Sequence, residues 1–281
     1  MVLAIVVVAG LALGYVGLSV VHVIPEANIS AMTIESRALG KSMPAEVWVP
    51  PGTDVTAPHD VLILFNGRGG DEWGWFGTVF SVTIDAIATD LAARGLIDPP
   101  IIVSAKIDDS YGMDSPPSSE GYSHGAYEQY IIDELIPAID ARFPGTADPA
   151  RRFIGGLSMG GYAALHATFR HPELFAGVGG VSPAIFQGSL PDRDWMYPTA
   201  ADRAAQDPLL LAKTAPITGL RIFLGHGDND YPWIIDAVNV LADRLDARGM
   251  TVTPVVVPGD HETSTFHTEA GPMLEALFPA G

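Results

Sequence analysis

The chain has 281 residues, 48% of them hydrophobic, and carries 33 acidic against 15 basic side chains for a formal net charge of −18. A surface that negative repels phosphate backbones, so nucleic acid is not expected as a partner. Cysteine is absent, which excludes disulfides, a cysteine nucleophile and thiolate metal sites.

Residues 1–24 differ from the rest. From Val2 to Ile24 no side chain is formally charged, and only His22 could become so. As a helix this run would span roughly 35 Å at about 1.5 Å per residue, enough to cross a bilayer. No Lys or Arg precedes it, and the flank Pro25-Glu26-Ala27-Asn28-Ile29-Ser30 offers no clean cleavage site of the kind a secretory signal carries. Residues 1–24 are expected to be a membrane anchor, 25–32 a linker and 33–281 one catalytic domain held outside the cytoplasm. The alternative is a secreted protein whose leader has been cleaved.

Taken in order, "MTIESRALG" and "PAEVWVPPG" read as two strands around a Gly40-Lys41-Ser42 turn. "DVLILFNGRGG" is an apolar strand ending in a glycine-rich loop. "TIDAIATDLAARG" has helical spacing, and "PPIIVSAKIDD" is the next buried strand. A Ser-, Pro- and Gly-rich loop covers 110–125. "YEQYIIDELIPAIDARFP" follows as an amphipathic helix despite Pro137. "RRFIGGLS" is a strand and "MGGYAALHATFRHP" a helix. "FAGVGGVSP" and "LRIFLGHGD" are strands separated by an irregular stretch, 185–215. A helix over "WIIDAVNVLADRLDARGM", the strand "VTPVVVPG" and a helix at 264–278 complete the chain. Strands alternate with helices and several are apolar on both faces, which predicts an α/β fold with a mostly parallel sheet covered by helices on both sides.

Within "GGLSMGGYAA", Gly156-Leu157-Ser158-Met159-Gly160 follows a strand and opens a helix, as a nucleophile elbow does. Side chains two residues either side of so sharp a turn would collide, and glycine at 156 and 160 avoids that. An N-capping serine in a glycine-rich helix entry is the plainer alternative. A serine nucleophile needs a histidine base, and the base needs a carboxylate, in the chain order Ser, acid, His. Among the downstream histidines, His261 alone follows a strand directly, in "PGDHETS". His166 and His171 lie on or at the end of the helix behind the serine, and His267 falls in the last helix. "GHGDND" offers Asp230 as the acid, with Asp228 in reserve. The Met159 amide and the Arg68 amide in "FNGRGG" are the expected oxyanion donors, with Gly67 keeping the approach open. Trp73 and Trp75 are expected to line the substrate site unless they are core aromatics, with Trp195, Met196 and Tyr197 opposite.

The block "YEQYIIDELIPAIDARFP…RRFIGGLSMGGYAALHATFRHPELFAGVGGVSPA" resembles the esterase D family of α/β-hydrolases, which also includes the mycolyltransferases. The resemblance runs from about residue 33 to the C-terminus. It implies the α/β-hydrolase fold and a serine esterase, or alternatively an acyltransferase, acting on a small-molecule or lipid ester through Ser158, Asp230 and His261, with "NGRGG" as the oxyanion loop. No cofactor or metal is expected. A metal hydrolase built on His226, Asp228, Asp230, His261 and Glu262 is a rival reading, but the first core strand ends in "NGRGG" rather than in further ligands. A catalytically silent fold used for binding is a third.

Overall fold

The hydrophobic alternation of the first described strands sets the sheet. A computed structural model describes residues 28–77, 81–116, 121–188 and 193–281. The expected anchor at 1–24 lies outside the described residues, and among those described no helix is long and apolar enough to cross a membrane.

The hairpin β1 (Ile29–Ser36) and β2 (Lys41–Trp48) comes first, followed by β3 (Val61–Phe65), α1 (Ile84–Ala93) and β4 (Ile101–Ala105). A short ribbon of β5 (Asp114–Ser115) and β6 (Gly125–Ala126) precedes a continuous helical run: α2 (Tyr127–Gln129), a π-helical turn (Tyr130–Leu135) and α3 (Ile136–Arg142). Next come β7 (Arg152–Leu157), α4 (Met159–Arg170) and β8 (Gly177–Val181). After α5 (Ala200–Gln206) and α6 (Pro208–Leu211), the chain closes with β9 (Arg221–Gly227), α7 (Pro232–Asp246), β10 (Thr251–Val257) and α8 (Thr263–Leu277).

Eight strands pair in the order β1-β2-β4-β3-β7-β8-β9-β10. Only β1 with β2 and β2 with β4 are antiparallel. Both faces of β3 are buried, as a parallel central strand requires. Val61, Ile63 and Phe65 join the core beneath the 127–142 run, α4 and α7, while Leu62 and Leu64 join the core beneath α1 and α8. The sheet is thus a partition between two apolar layers, and its carboxyl edge carries the loops after β3, β7, β9 and β10.

Four details differ from the sequence expectations. β1 begins at Ile29, inside the expected linker. The hairpin turn is Arg37–Gly40, with Gly40 at φ 65°, and Lys41 and Ser42 already belong to β2. The helix through Pro137 contains a π-helical turn just before it, because proline has no N–H to donate and its ring crowds the carbonyl of the preceding turn. The stretch 185–215 holds α5 and α6, and α5 is started by a capping box between Thr199 and Asp202.

Glu128 ties the 127–142 run to α4. Its carboxylate accepts from Arg170 Nε at 2.6 Å and from His171 Nε2 at 2.8 Å. Burial alone would raise its pKa, but the His171 bond, the influence of His166 and the Arg170 pair bring it from 4.5 down to about 2. The folded state therefore releases this proton more readily than the unfolded chain, so the stabilisation is complete above pH 4.5 and is lost as pH falls toward 2. Glu128→Gln should lower unfolding stability by about 2 kcal/mol at pH 7. In urea titrations across pH, the gap between parent and variant should close below about pH 4. An unchanged gap at pH 2.5 would show that the charge is not what stabilises.

Candidate active site

The elbow at Ser158 is a consequence of two missing side chains. A Cβ on Gly156 would lie 2.3 Å from the Gly160 carbonyl carbon, and one on Gly160 would lie 2.4 Å from the Phe65 carbonyl oxygen. With glycine at both positions, β7 turns into α4 in one residue. Ser158 takes φ 52° and ψ −114°, and its side chain makes no capping bond to the helix. The hydroxyl is turned instead to His261, whose Nε2 is 2.8 Å from Ser158 Oγ.

On its other side His261 Nδ1 is 2.9 Å from Asp230 Oδ1 and 3.1 Å from Oδ2. The Asp230 carboxylate is buried and also accepts from the Tyr231 N–H at 2.6 Å. Burial pushes its pKa up, but the bonds from His261 and Ser182, the His261 charge and the Tyr231 amide hold it below the usual carboxylate range. Asp228 points elsewhere, and its Oδ1 accepts from the Gly259 N–H at 3.0 Å, linking the loops after β9 and β10. The structure thus brings Ser158, His261 and Asp230 into one hydrogen-bonded chain and leaves Asp228 outside it. His267 lies on α8 with Nδ1 on the Val82 carbonyl oxygen at 2.7 Å, away from the serine. His166 is buried within α4, and His171 is bonded to Glu128.

The loop after β3 meets the elbow from the opposite side. A Cβ on Gly67 would lie 2.5 Å from Leu157 Cδ1, so the Gly67 backbone packs directly on the residue before Ser158. Gly70 N–H closes the turn on the Gly67 carbonyl oxygen at 3.0 Å, and Arg68 sits exposed between them. Buried Asn66, which sequence reasoning passed over, pins this loop. Its Oδ1 accepts from the Ile107 N–H at 2.9 Å and its Nδ2 donates to the Gly67 carbonyl at 2.9 Å. Met159 begins α4, so its N–H has no partner inside the helix.

Trp75 does not line a substrate site. It is wholly buried, and its Nε1–H donates to the Phe65 carbonyl oxygen at 2.9 Å, so it belongs to the core beneath the loop. Trp73 is 45% exposed. On the insertion, Trp195 and Met196 are also buried, with Trp195 packed against Tyr122 at 5.3 Å. Other aromatic side chains stand in a row that starts beside His261. Tyr231 lies 5.2 Å from the His261 ring, Trp233 stacks near Tyr231 at 6.1 Å, and Phe186 stacks on Trp233 at 5.0 Å. The Arg193 guanidinium lies 4.7 Å from Phe186 and 6.0 Å from Tyr122, and Arg68 covers the other end of the row, 4.9 Å from Tyr122. This row begins at His261 and ends at the loop after β3, the two groups that flank Ser158. Its sequence signal was "DYPW", two large aromatics directly after Asp230.

Among the described residues no group of three or more His, Cys, Asp and Glu is placed to hold a metal ion. His226 Nδ1 bonds the Gly227 carbonyl at 2.8 Å, and the aspartates and His261 of the rival metal reading are engaged as above.

A mostly parallel eight-stranded sheet with a serine elbow at its carboxyl edge defines an α/β-hydrolase. The family model described as "Putative esterase" matches residues 36–276, and the chain belongs to this esterase family. An endo-1,4-beta-xylanase/feruloyl esterase from Xylanibacter ruminicola is 30% identical over 260 residues, covering 89% of this chain and 31% of the relative. The chain therefore spans about a third of the length of that curated relative. Among solved structures, a ferulic acid esterase superposes with a TM-score of 0.73 at 20% identity, covering 88% of this chain and 96% of the other. An S-formylglutathione hydrolase from Agrobacterium tumefaciens gives a TM-score of 0.68 at 18% identity, covering 88% and 94%.

The two tryptophans after the loop should separate cleanly. Trp75→Phe keeps an aromatic ring but removes the indole N–H that bonds the Phe65 carbonyl and leaves a small void in the core, and should cost about 1–3 kcal/mol of stability in denaturant unfolding. Trp73→Ala should stay within about 0.5 kcal/mol of the parent, as an exposed substitution does. Equal costs would contradict the division between core and surface.

Proposed function

We propose that the chain is a serine carboxylic-ester hydrolase working through an acyl-enzyme on Ser158. The observation that carries this reading is the continuous hydrogen-bonded chain from Ser158 Oγ through His261 to Asp230. His261 Nε2 accepts the serine proton as Oγ attacks the ester carbonyl, and Asp230 holds Nδ1–H and stabilises the imidazolium that forms. The Met159 and Arg68 amides receive the oxyanion, with the positive end of the α4 dipole behind Met159. The protonated His261 then releases the alcohol, and a water activated by the same imidazole frees the acid.

The row Tyr231–Trp233–Phe186 supports a flat, aromatic substrate part, since ring faces stack at little entropic cost. The feruloyl esterase relative agrees with that preference. Transfer of the acyl group to an alcohol or sugar is the second reading, and among the described residues of 110–125 and 185–215 nothing favours it over water. Residues 1–24, as an uncleaved anchor, would hold the domain at a membrane outside the cytoplasm, unless the segment is cleaved and the domain secreted.

Ser158→Ala should lower kcat/KM by about a thousandfold or more and abolish labelling by a fluorophosphonate probe, with folding intact. Asp230→Asn should cost about ten-thousandfold and Asp228→Asn about tenfold or less, the latter through the loop alone. Nearly normal turnover in Asp230→Asn would overturn the assignment. A panel of aryl and alkyl acyl esters, with and without a sugar acceptor, should favour aryl groups and yield free acid; an acyl-sugar as the main product would make the protein an acyltransferase. A chain lacking residues 1–24 should be soluble and active, while the full chain should sediment with membranes. Misfolding of the shortened chain would place that segment in the core.

A further inference from the structure

The loop after β3 faces two opposed demands. Gly67-Arg68-Gly69-Gly70 must pack close to the serine elbow, which glycine permits, but glycine also leaves a loop free to swing. Donors to an oxyanion are effective when they are already aimed at it. Gly69 sits at φ 73°, and residues 68–70 are exposed, so the tip of the loop is not held by burial. Asn66 holds one side: its Nδ2 donates to the Gly67 carbonyl oxygen at 2.9 Å, and the Gly70 N–H donates to the same oxygen at 3.0 Å. On the other side the Gly69 N–H donates to Asp109 Oδ1 at 2.6 Å, a residue of the loop after β4.

These contacts fix both peptide planes that meet at Arg68. The Gly67–Arg68 peptide is trans, so its N–H points opposite to its carbonyl. With that carbonyl held by Asn66 and Gly70, the Arg68 N–H is turned away from them, and among the described residues it has no partner. Fixing the next plane at Asp109 removes the remaining rotation about Arg68. We propose that Asp109 and Asn66 are positioning residues of this active site: together they hold the Arg68 N–H at the angle at which it receives the oxyanion. This rests on the reading of Arg68 as an oxyanion donor in a serine ester hydrolase.

The loop that bears Asp109 is built as a fixed frame. Asp109 N–H donates to Ser123 Oγ at 3.2 Å, and Ser123 N–H returns to the Asp109 carbonyl oxygen at 3.2 Å. Its neighbour Asp108, at φ 47°, accepts from Lys41 Nζ of β2 at 2.7 Å and from Tyr127 Oη of α2 at 2.6 Å. Asn66 joins the two loops, since its Oδ1 accepts the Ile107 N–H and its Nδ2 lies 3.3 Å from the Asp108 carbonyl oxygen. Lys41 and Lys106 both pair with Asp108, and among the described residues no cation pairs with Asp109. The two adjacent aspartates thus have different tasks: Asp108 ties the frame to the body of the protein, and Asp109 ties the loop after β3 to the frame. A negative charge near a developing oxyanion would oppose it, so the useful part of Asp109 is its accepting oxygen rather than its charge.

The test compares the parent with Asp109→Ala, Asp109→Asn and Asn66→Asp. Asp109→Ala frees the Gly69 N–H and should lower kcat about tenfold with KM within about twofold, the effect of losing one hydrogen bond to a charged group. Asp109→Asn keeps an accepting oxygen and should restore kcat to within about threefold of the parent. Asn66→Asp tests the other plane independently: it still accepts from Ile107 but sets an oxygen against the Gly67 carbonyl, and should lose kcat as Asp109→Ala does. A second readout needs no turnover. Amide exchange at Gly69, followed by NMR, should quicken about tenfold in Asp109→Ala and stay at the parent rate in Asp109→Asn. Parent-like kcat in Asp109→Ala, or an equal loss in Asp109→Asn, would overturn the inference. So would a loss confined to KM, or a fall in kcat with Gly69 exchange unchanged. Faster Gly69 exchange in Asp109→Ala, rescued in Asp109→Asn, in a protein that hydrolyses no ester would support the hold on the loop while removing the ester-hydrolase reading.

Discussion

Ser158 is held at φ 52°, ψ −114°, where a residue with a side chain costs about 1–3 kcal/mol, and the geometry of the site follows from that one strained peptide. Its N–H is tied to the Val181 carbonyl oxygen at 2.9 Å, and its own carbonyl accepts from Tyr162 N–H at 3.1 Å and Ala184 N–H at 2.9 Å. Relaxing the strain would break bonds to β8, to α4 and to the segment after β8 at once. The strain also explains why a residue well suited to capping a helix does not cap this one. A serine with ordinary extended backbone would turn its oxygen back onto α4; here the oxygen is delivered to His261 instead.

Asp230 and His261 ride on a second rigid unit. Asp228 N–H bonds the Val257 carbonyl at 2.8 Å, Asn229 N–H bonds the Gly259 carbonyl at 2.9 Å, and the Asp228 side chain returns to the Gly259 N–H. These three bonds stitch the loop after β9 to the loop after β10, so Asp230 and His261 move together or not at all. Two aspartates two residues apart thereby divide the work: one fixes the loops, and the other is left free to face the imidazole.

Much of this was legible because it is local. The glycines at 156 and 160, the strand before them and the helix after them lie within a dozen residues, and the clash they avoid is a backbone clash that any such turn would suffer. The strand ends carrying Asp230 and His261 could be read from hydrophobic runs. Exposure could not be read in the same way. Trp73 and Trp75 share a sequence environment, yet one is half in solvent and the other donates to Phe65 in the core, because the side chain's direction depends on a loop path that composition does not encode. Glu269 was hidden for a related reason. A glutamate on an amphipathic helix reads as surface, and only the pairing of α8 with Gly225 and Ser182 turns it inward. The helices in 185–215 did leave a signal, the Thr199–Asp202 capping box, but α5 is too short for periodicity to register.

The distribution of charge gives the site a character opposite to that of the whole molecule. The chain carries a net −18, which repels anions at a distance. Two of its few arginines nevertheless stand at the aromatic row, Arg68 over Tyr122 and Arg193 over Phe186. Among the described residues neither guanidinium forms an ion pair with a carboxylate. Their charge is therefore directed at ring faces and at whatever lies on those rings. An aromatic ester with an electron-rich oxygen substituent meets both features together, a stacking surface and a cation at its edge. A saturated acyl chain of equal size would use the apolar surface but not the cations, and a bare anion would use the cations but not the rings. Under the ester-hydrolase proposal, discrimination among esters by this site would follow from requiring the two features in one flat group.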